Sequence, residues 1–300
     1  MFITILMAIF AVDMKKFSAY LVALYAVVAL CSCDFAKNNK ALVNEVGRVL
    51  VEELDQKNGE AGACDESAGA AEADDKLVMQ TSPKGTPEQI LRRTGYVASY
   101  NKTTLLPNWV AWHLTAERTE GNAKRSDVDF AEDTEVPEPR ATDWDYYNSG
   151  YDRGHMCPAA DNKWSKKAME ESFLFTNMCP QNGNLNRGDW NEMEMACRKW
   201  AKKYGDLYIV CGPILYKGKH KTIGKNKVVV PEAFFKVVLR TGDDPQAIGF
   251  IYKNTSGNRP KDSYVNTVDE VERITGIDFF PSLPDDVEKK VEAMADIANW

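Results

Sequence analysis

The chain has 300 residues, 44% of them hydrophobic, with 12 Phe, 12 Tyr and 7 Trp, which is enough to fill one large core or two small ones and excludes a disordered polymer. A formal net charge of −7 excludes a uniformly basic polyanion binder. The acid excess is local, however: residues 51–76 carry −7, against +2 before them and −2 after them, so the C-terminal part is nearly neutral and can carry a basic face.

In chain order, Met14-Lys15-Lys16 followed by the apolar run Phe17 to Leu30 has the form of a signal peptide. Leu30-Cys31-Ser32-Cys33 resembles a lipobox, which makes Cys33 the lipidated first residue of an exported, membrane-anchored chain and Met14 its true start. A plain cleaved signal, giving a secreted protein, or a membrane anchor is the alternative. Residues 1–33 are thus a leader facing the periplasm or cell surface. Residues 34–87 read as an acidic tether, with helical period over Ala41 to Leu54 and a flexible Gly-, Ala-, Glu- and Asp-rich run from Gly59 to Asp75. Residues 88–300 read as the folded domain.

Within that domain, Thr86 to Leu91 starts a helix or an edge segment, and Gly95 to Leu114 alternates as two strands split at Leu106-Pro107-Asn108. His113 belongs to the second strand and reads as a packed residue. Polar, proline-bearing Ala116 to Asp145 forms a long loop. Lys163 to Glu171 reads as a short helix and Phe173 to Asn177 as a buried strand. From Asp189 to Tyr204, Trp190, Met193, Cys197, Trp200 and Ala201 recur with helical period, Asp189 capping the start and Gly205 ending it. Leu207 to Gly212, Val228 to Pro231, Phe234 to Leu239 and Ala247 to Tyr252 read as strands of one sheet, and Tyr264 to Gly276 and Val287 to Trp300 as helices. The fold class is α+β, a central antiparallel sheet flanked by helices.

The chemistry concentrates in Tyr151-Asp152-Arg153-Gly154-His155-Met156-Cys157-Pro158, Asn177-Met178-Cys179-Pro180-Gln181, and the stretch Asn186 to Glu194. A neutral imidazole can take a proton from water, and His155 is one of only three histidines. Asn186 and Glu194 offer hard oxygen ligands suited to Mg²⁺, eight residues or about 2.2 turns apart. Arg198 lies one turn further on the same side. His220, in Lys217-Gly218-Lys219-His220-Lys221, reads as a solvated hairpin tip, with a nucleic-acid backbone contact as the alternative. Lys163, Lys166, Lys167, Arg187, Arg198, Lys199, Lys202 and Lys203 cluster around these motifs, either as a basic face or as a solvated helix surface.

Asp-Arg-Gly-His with a downstream Asn-x3-Trp-x3-Glu resembles the DNA/RNA non-specific endonuclease family of the ββα-metal superfamily. Tyr96-Val97-Ala98-Ser99-Tyr100-Asn101, Asn108 to His113, and Arg125-x4-Phe130-x2-Asp133 with Arg140-Ala141 extend the likeness over roughly Thr86 to Pro284. The resemblance implies a Mg²⁺-dependent hydrolase of phosphodiesters in DNA and RNA, with Mn²⁺ able to substitute. It implies His155 as general base, Asn186 as the one direct metal ligand, and Glu194 as the carboxylate holding a metal-bound water. Asn177 would support the site, and Arg153, Arg198 and Arg125 would contact the phosphate, with Arg140 an alternative to Arg125. A non-catalytic nucleic-acid-binding or surface module on the same scaffold is the competing reading, and a phosphodiesterase of small nucleotides a third. The oligomeric state is not legible.

Seven cysteines remain. No Cys-x2-Cys pair suits zinc. Cys157 and Cys179 each follow a site segment closely and are expected to form a disulfide, while Cys197 and Cys211 read equally well as buried thiols.

Overall fold

The structure is a computed structural model and describes residues 75–242 and 244–300. The leader, Cys33, the expected helix over Ala41 to Leu54, and the Gly59 to Asp75 tether apart from its last residue lie outside those residues. Among the described residues no helix is long and apolar enough to cross a membrane.

In chain order the strands are β1 (Gln89–Arg92), β2 (Val97–Asn101), β3 (Leu106–Leu114), β4 (Asp152–His155), β5 (Met178–Gln181), β6 (Leu207–Ile214), β7 (Thr222–Ile223), β8 (Val228–Val229), β9 (Ala233–Arg240), β10 (Gln246–Lys253) and β11 (Val265–Asn266). Seven of them make one sheet in the order β1-β2-β3-β6-β9-β10-β11, with every neighbouring pair antiparallel. β4 and β5 form a separate two-stranded ladder. The main helices are α1 (Lys166–Ser172), α2 (Asn191–Tyr204), α3 (Val268–Thr275) and α4 (Asp285–Glu292). Ser165 caps α1 by accepting from the Ala168 N–H, and Thr267 caps α3 by accepting from that of Glu270. Gly276 ends α3 at φ +71°, the left-handed conformation a Cβ would disfavour.

Both faces of the seven-stranded sheet are covered, so its strands read as nearly continuous apolar runs. Alternation still sorts the side chains. On β9, Phe235, Val237 and Leu239 enter a rear core with Val268, Val271, Phe279 and Phe280. Phe234 and Val238 enter a front core with Met156, Trp190, Met193, Cys197 and Trp200. Lys236 shares their parity, which sends a fully buried ammonium into the front core.

Several expectations are corrected. Residues 76–87 are not tether: Val78 and Gln80 are buried, Thr81 bridges to Asp278, and Gln80 Oε1 accepts from the Phe280 N–H at 2.8 Å. Leu106 to Asn108 lie inside β3, and the turn precedes them through Leu105 at φ +59°. Phe173 to Asn177 form turns rather than a strand, because Asn177 is drawn inward by local hydrogen bonds, and the strand begins at Met178. Val228–Val229 pairs only with Thr222–Ile223, outside the main sheet. The last helix begins at Asp285, ends at Glu292, and is followed by one 3₁₀ turn, Ile297–Asn299.

Candidate active site

The β4–β5 ladder sets Arg153 opposite Pro180, Gly154 opposite Cys179 and His155 opposite Met178. Gly154 is dictated by space, since a Cβ there would stand 2.4 Å from Gln181 Oε1. Beyond β4 the chain is locked by Asn177, which is wholly buried. Its carbonyl accepts from the Cys157 N–H at 2.9 Å, and its amide nitrogen donates to the carbonyls of Cys157 at 2.9 Å and Ser172 at 2.8 Å. Asn177 therefore braces the turn after His155 and does not reach the cleft. Gln181 is likewise buried, behind Gly154.

The second half arrives on a helical run with a defect. Asn182 caps the turn Gly183–Leu185, the run kinks at Gly188 (φ −101°, ψ −112°) in a bulge over Asn186–Trp190, and α2 follows. Asp189 is not the cap it was expected to be. Its Oδ2 accepts from the Asn258 N–H at 2.6 Å, from the Arg259 N–H at 3.3 Å and from the Tyr264 hydroxyl, which ties the bulge to the segment entering β11.

These elements bound one open cleft of 890 Å³ that contains His155, Asn186, Glu194, Arg125, Arg153 and Arg198 among its lining residues. Six of the seven sequence-predicted residues thus converge, with Asn177 one layer behind. The lining also holds Lys124, Lys163, Arg187 and Asp152, so six cations face two carboxylates. Arg140 is elsewhere, bound to Glu132, Glu138 and the Val136 carbonyl, so of the two alternatives only Arg125 lies in the cleft. Lys166, Lys167 and Lys202 pair with Glu170, Glu171 and Glu120 on helix surfaces, as the blander reading of that cluster had it. His113 stacks on Tyr208 at 4.6 Å and meets Asp206 at 2.8 Å, and His220 meets Glu232 at 3.0 Å, so neither lines this cleft.

His155 lies on the cleft floor, only 6% exposed, wedged against Phe173 at 4.9 Å and Phe130 at 5.7 Å. Its Nε2 is buried without a hydrogen-bond partner. Burial, and then the positive charge of Arg125, push its pKa down to about 3, so the ring is neutral at physiological pH. Glu194 moves the other way. Burial raises it to about 7, against the pull of Lys236. Asn186 commits its amide nitrogen to Asp152 Oδ2 at 3.0 Å, leaving the amide oxygen as the atom a hard cation would take.

Three of the arginines are held by carboxylates. Arg198 pairs with buried Asp161 at 2.9 Å, and Asp161 also accepts from Trp112 Nε1 at 3.1 Å. Arg153 donates to Asp143 at 2.6 Å with its guanidinium over Phe130, and Arg187 donates to Asp152 at 2.7 Å. Arg125 lies over Phe173 and makes no ion pair among the described residues.

Asp152, Asp161 and Lys236 were given no role by sequence reasoning. Asp152 stood inside the quoted motif, and Lys236 stood out as the lone charge in Ala233-Phe234-Phe235-Lys236-Val237-Val238. Its Nζ sits 4.3 Å from the Trp190 ring centroid and 5.1 Å from that of Trp112. Burial works against that charge, and the thiols of Cys211 and Cys197 with the carboxylates of Glu194 and Asp161 more than restore it.

The expected Cys157–Cys179 disulfide is absent. Cys157, Cys179, Cys197 and Cys211 are all free and buried. The register places Cys179 against Gly154, while the Cys157 sulfur accepts from Asn162 Nδ2 at 3.3 Å. Burial raises all four thiols, Cys197 and Cys211 to about 12, which leaves them unreactive.

A family model described as DNA/RNA non-specific endonuclease matches residues 74–286. Nuclease EXOG, mitochondrial, of Danio rerio is 39% identical over 206 residues, covering 63% of this chain and 60% of that protein. Endonuclease G, mitochondrial, of Homo sapiens is 34% identical over 209 residues, covering 65% and 70%. Nuclease C1 of Cunninghamella echinulata var. echinulata is 36% identical over 222 residues, covering 69% and 88%. A crystal structure of the EndoG/EndoGI complex superposes with a TM-score of 0.62 at 32% identity, over 66% of this chain and 87% of that one. The chain spans about 60% of the length of the first curated relatives it matches.

Proposed function

Since the chain belongs to the DNA/RNA non-specific endonuclease family, we propose that it hydrolyses phosphodiester bonds of both DNA and RNA, with His155 as general base. The observation that carries this reading is the neutral, unpartnered Nε2 of His155 on the floor of a cationic cleft. A binding module needs the cations but has no use for a desolvated base among them.

In this reading Arg125, Arg153 and Arg198 receive the phosphate, two of them already oriented by Asp143 and Asp161. His155 takes the proton of an attacking water. A pKa near 3 makes a weak base, but a bound phosphate anion offsets the charge of Arg125 and moves the ring toward a more useful value. Phe130 and Phe173 fix the plane of the imidazole. Contacts from six cations to phosphate charge carry no sequence information, which suits a nuclease indifferent to sequence and sugar.

Asn186 and Glu194 fit a divalent cation of the Mg²⁺ or Mn²⁺ kind through a free amide oxygen and a carboxylate in the same cleft. When bound, the cation would supply Lewis acidity that neutralises charge developing on the phosphate and leaving oxygen. The leader sequence supports export with a lipid on Cys33 as a companion proposal.

The test is degradation of plasmid DNA and of RNA by the full chain with Mg²⁺, against chelator and His155→Ala. Cleavage of both polymers, abolished by chelator and reduced on the order of 10²- to 10⁴-fold in the variant, supports the proposal. Binding of nucleic acid without cleavage by the folded protein replaces it with the binding-module reading.

A further inference from the structure

On the rear of the sheet, opposite the cleft, three carboxylates meet between the last two helices. Asp269 and Glu272 come from α3 and Glu292 from the end of α4, and one oxygen from each lies within 4.8 Å of the others. Glu292 is only 6% exposed, and its Oε1 is buried with no hydrogen-bond partner. None of the three forms an ion pair among the described residues, and the nearest arginine in sequence, Arg273, is taken by Glu270. Glu272 accepts from the Phe279 N–H at 2.8 Å, which fixes one of its oxygens but adds no positive charge.

Such a group is unfavourable as it stands. Burial first, and then the neighbouring acids, raise Glu272 to about 7 and Glu292 to about 8. A bound cation would remove both penalties at once. Three protein carboxylates at one place suit Ca²⁺, which takes about six to eight oxygen ligands, better than Mg²⁺, which keeps most of its waters and binds through one or two carboxylates. We propose that Asp269, Glu272 and Glu292 form a second divalent-cation site, of the Ca²⁺ class, that ties α4 to α3. Glu292 lies beyond residue 286, where the match to the family model ends, so the site is an elaboration on the nuclease scaffold rather than part of its cleft.

The experiment is thermal unfolding of the metal-stripped full chain with added Ca²⁺, repeated in an Asn186→Ala background so that the cleft does not report. A calcium concentration about 100-fold above the dissociation constant should raise the midpoint by about 5–10 °C in both proteins. The rise should vanish in Glu292→Gln and in Asp269→Asn, the latter at an exposed position that leaves the core intact if the former fails to fold. No rise in the Asn186→Ala background overturns the site, as does a rise that survives both carboxylate substitutions. A Glu292→Gln protein that is stabilised without calcium, beside an unresponsive wild type, also overturns it and makes the cluster a repulsion relieved by protons alone.

Discussion

Glu194 provides a test in which stability and activity move in opposite directions. Its carboxyl is raised from 4.5 to about 7, chiefly by burial. Between those values the folded protein holds a proton that the unfolded chain has released, so stability is fully present below pH 4.5 and is lost as pH rises through 7. A shift of about 2.5 units at about 1.36 kcal/mol each amounts to about 3 kcal/mol lost by pH 8.5. Glu194→Gln copies the protonated form and escapes that loss. In chelator, its midpoint should match wild type at pH 4.5 and exceed it by about 6–12 °C at pH 8.5, at about 2–4 °C per kcal/mol. The same variant should lose cleavage of plasmid DNA by about 10²-fold or more, having surrendered a charge at the metal seat. Denaturation curves of the two proteins that stay parallel from pH 4.5 to 8.5 would refute the argument that Glu194 is desolvated in the native site.

Asp161→Asn leaves the Arg198 guanidinium, 17% exposed, without its buried partner. A loss of about 2–4 kcal/mol in urea unfolding is expected, together with a fall in kcat/KM as Arg198 leaves its orientation; unchanged kinetics would make Asp161 purely structural. Tyr264→Phe removes the hydroxyl that donates to Asp189 and so loosens the bulge carrying Asn186. It should cost about 1–2 kcal/mol and raise the Mg²⁺ concentration at half-maximal cleavage, and a metal titration that superposes on wild type would show that Asn258 and Arg259 alone hold the bulge.

The cleft was more legible in the sequence than the frame around it, and the reason is physical. His155 lies on one short ladder, and Glu194 and Arg198 lie one turn apart on one helix, so local spacing places them, while Asn186 joins them across the Gly188 kink. What failed depended on contacts remote in sequence. Asp189 looks like a helix cap until residues 258, 259 and 264 claim its carboxylate. Val228–Val229 looks like any apolar strand, and only Thr222–Ile223 decides which sheet it joins. Cys157 and Cys179 stand at matching places in their motifs, yet ladder register governs which side chains face one another. Val78 was masked by the acidic composition just before it, although Gln80 and Thr81 fasten that segment to residues 200 positions away.

For a chain of net charge −7 the proposed polyanionic substrate raises a difficulty, which the disposition of its acids resolves. Coulomb attraction at a cleft depends on which charges face the ligand and which are spent behind the wall. Here Asp161 is buried against Arg198, and Asp143, exposed but outside the cleft lining, pairs with Arg153, each holding a guanidinium in place. Asp152 serves Asn186 and Arg187 together. The acids thus convert flexible arginines into a fixed set of donors, lowering the entropy lost when a phosphate binds. The remaining acid excess lies in the stretch 51–76.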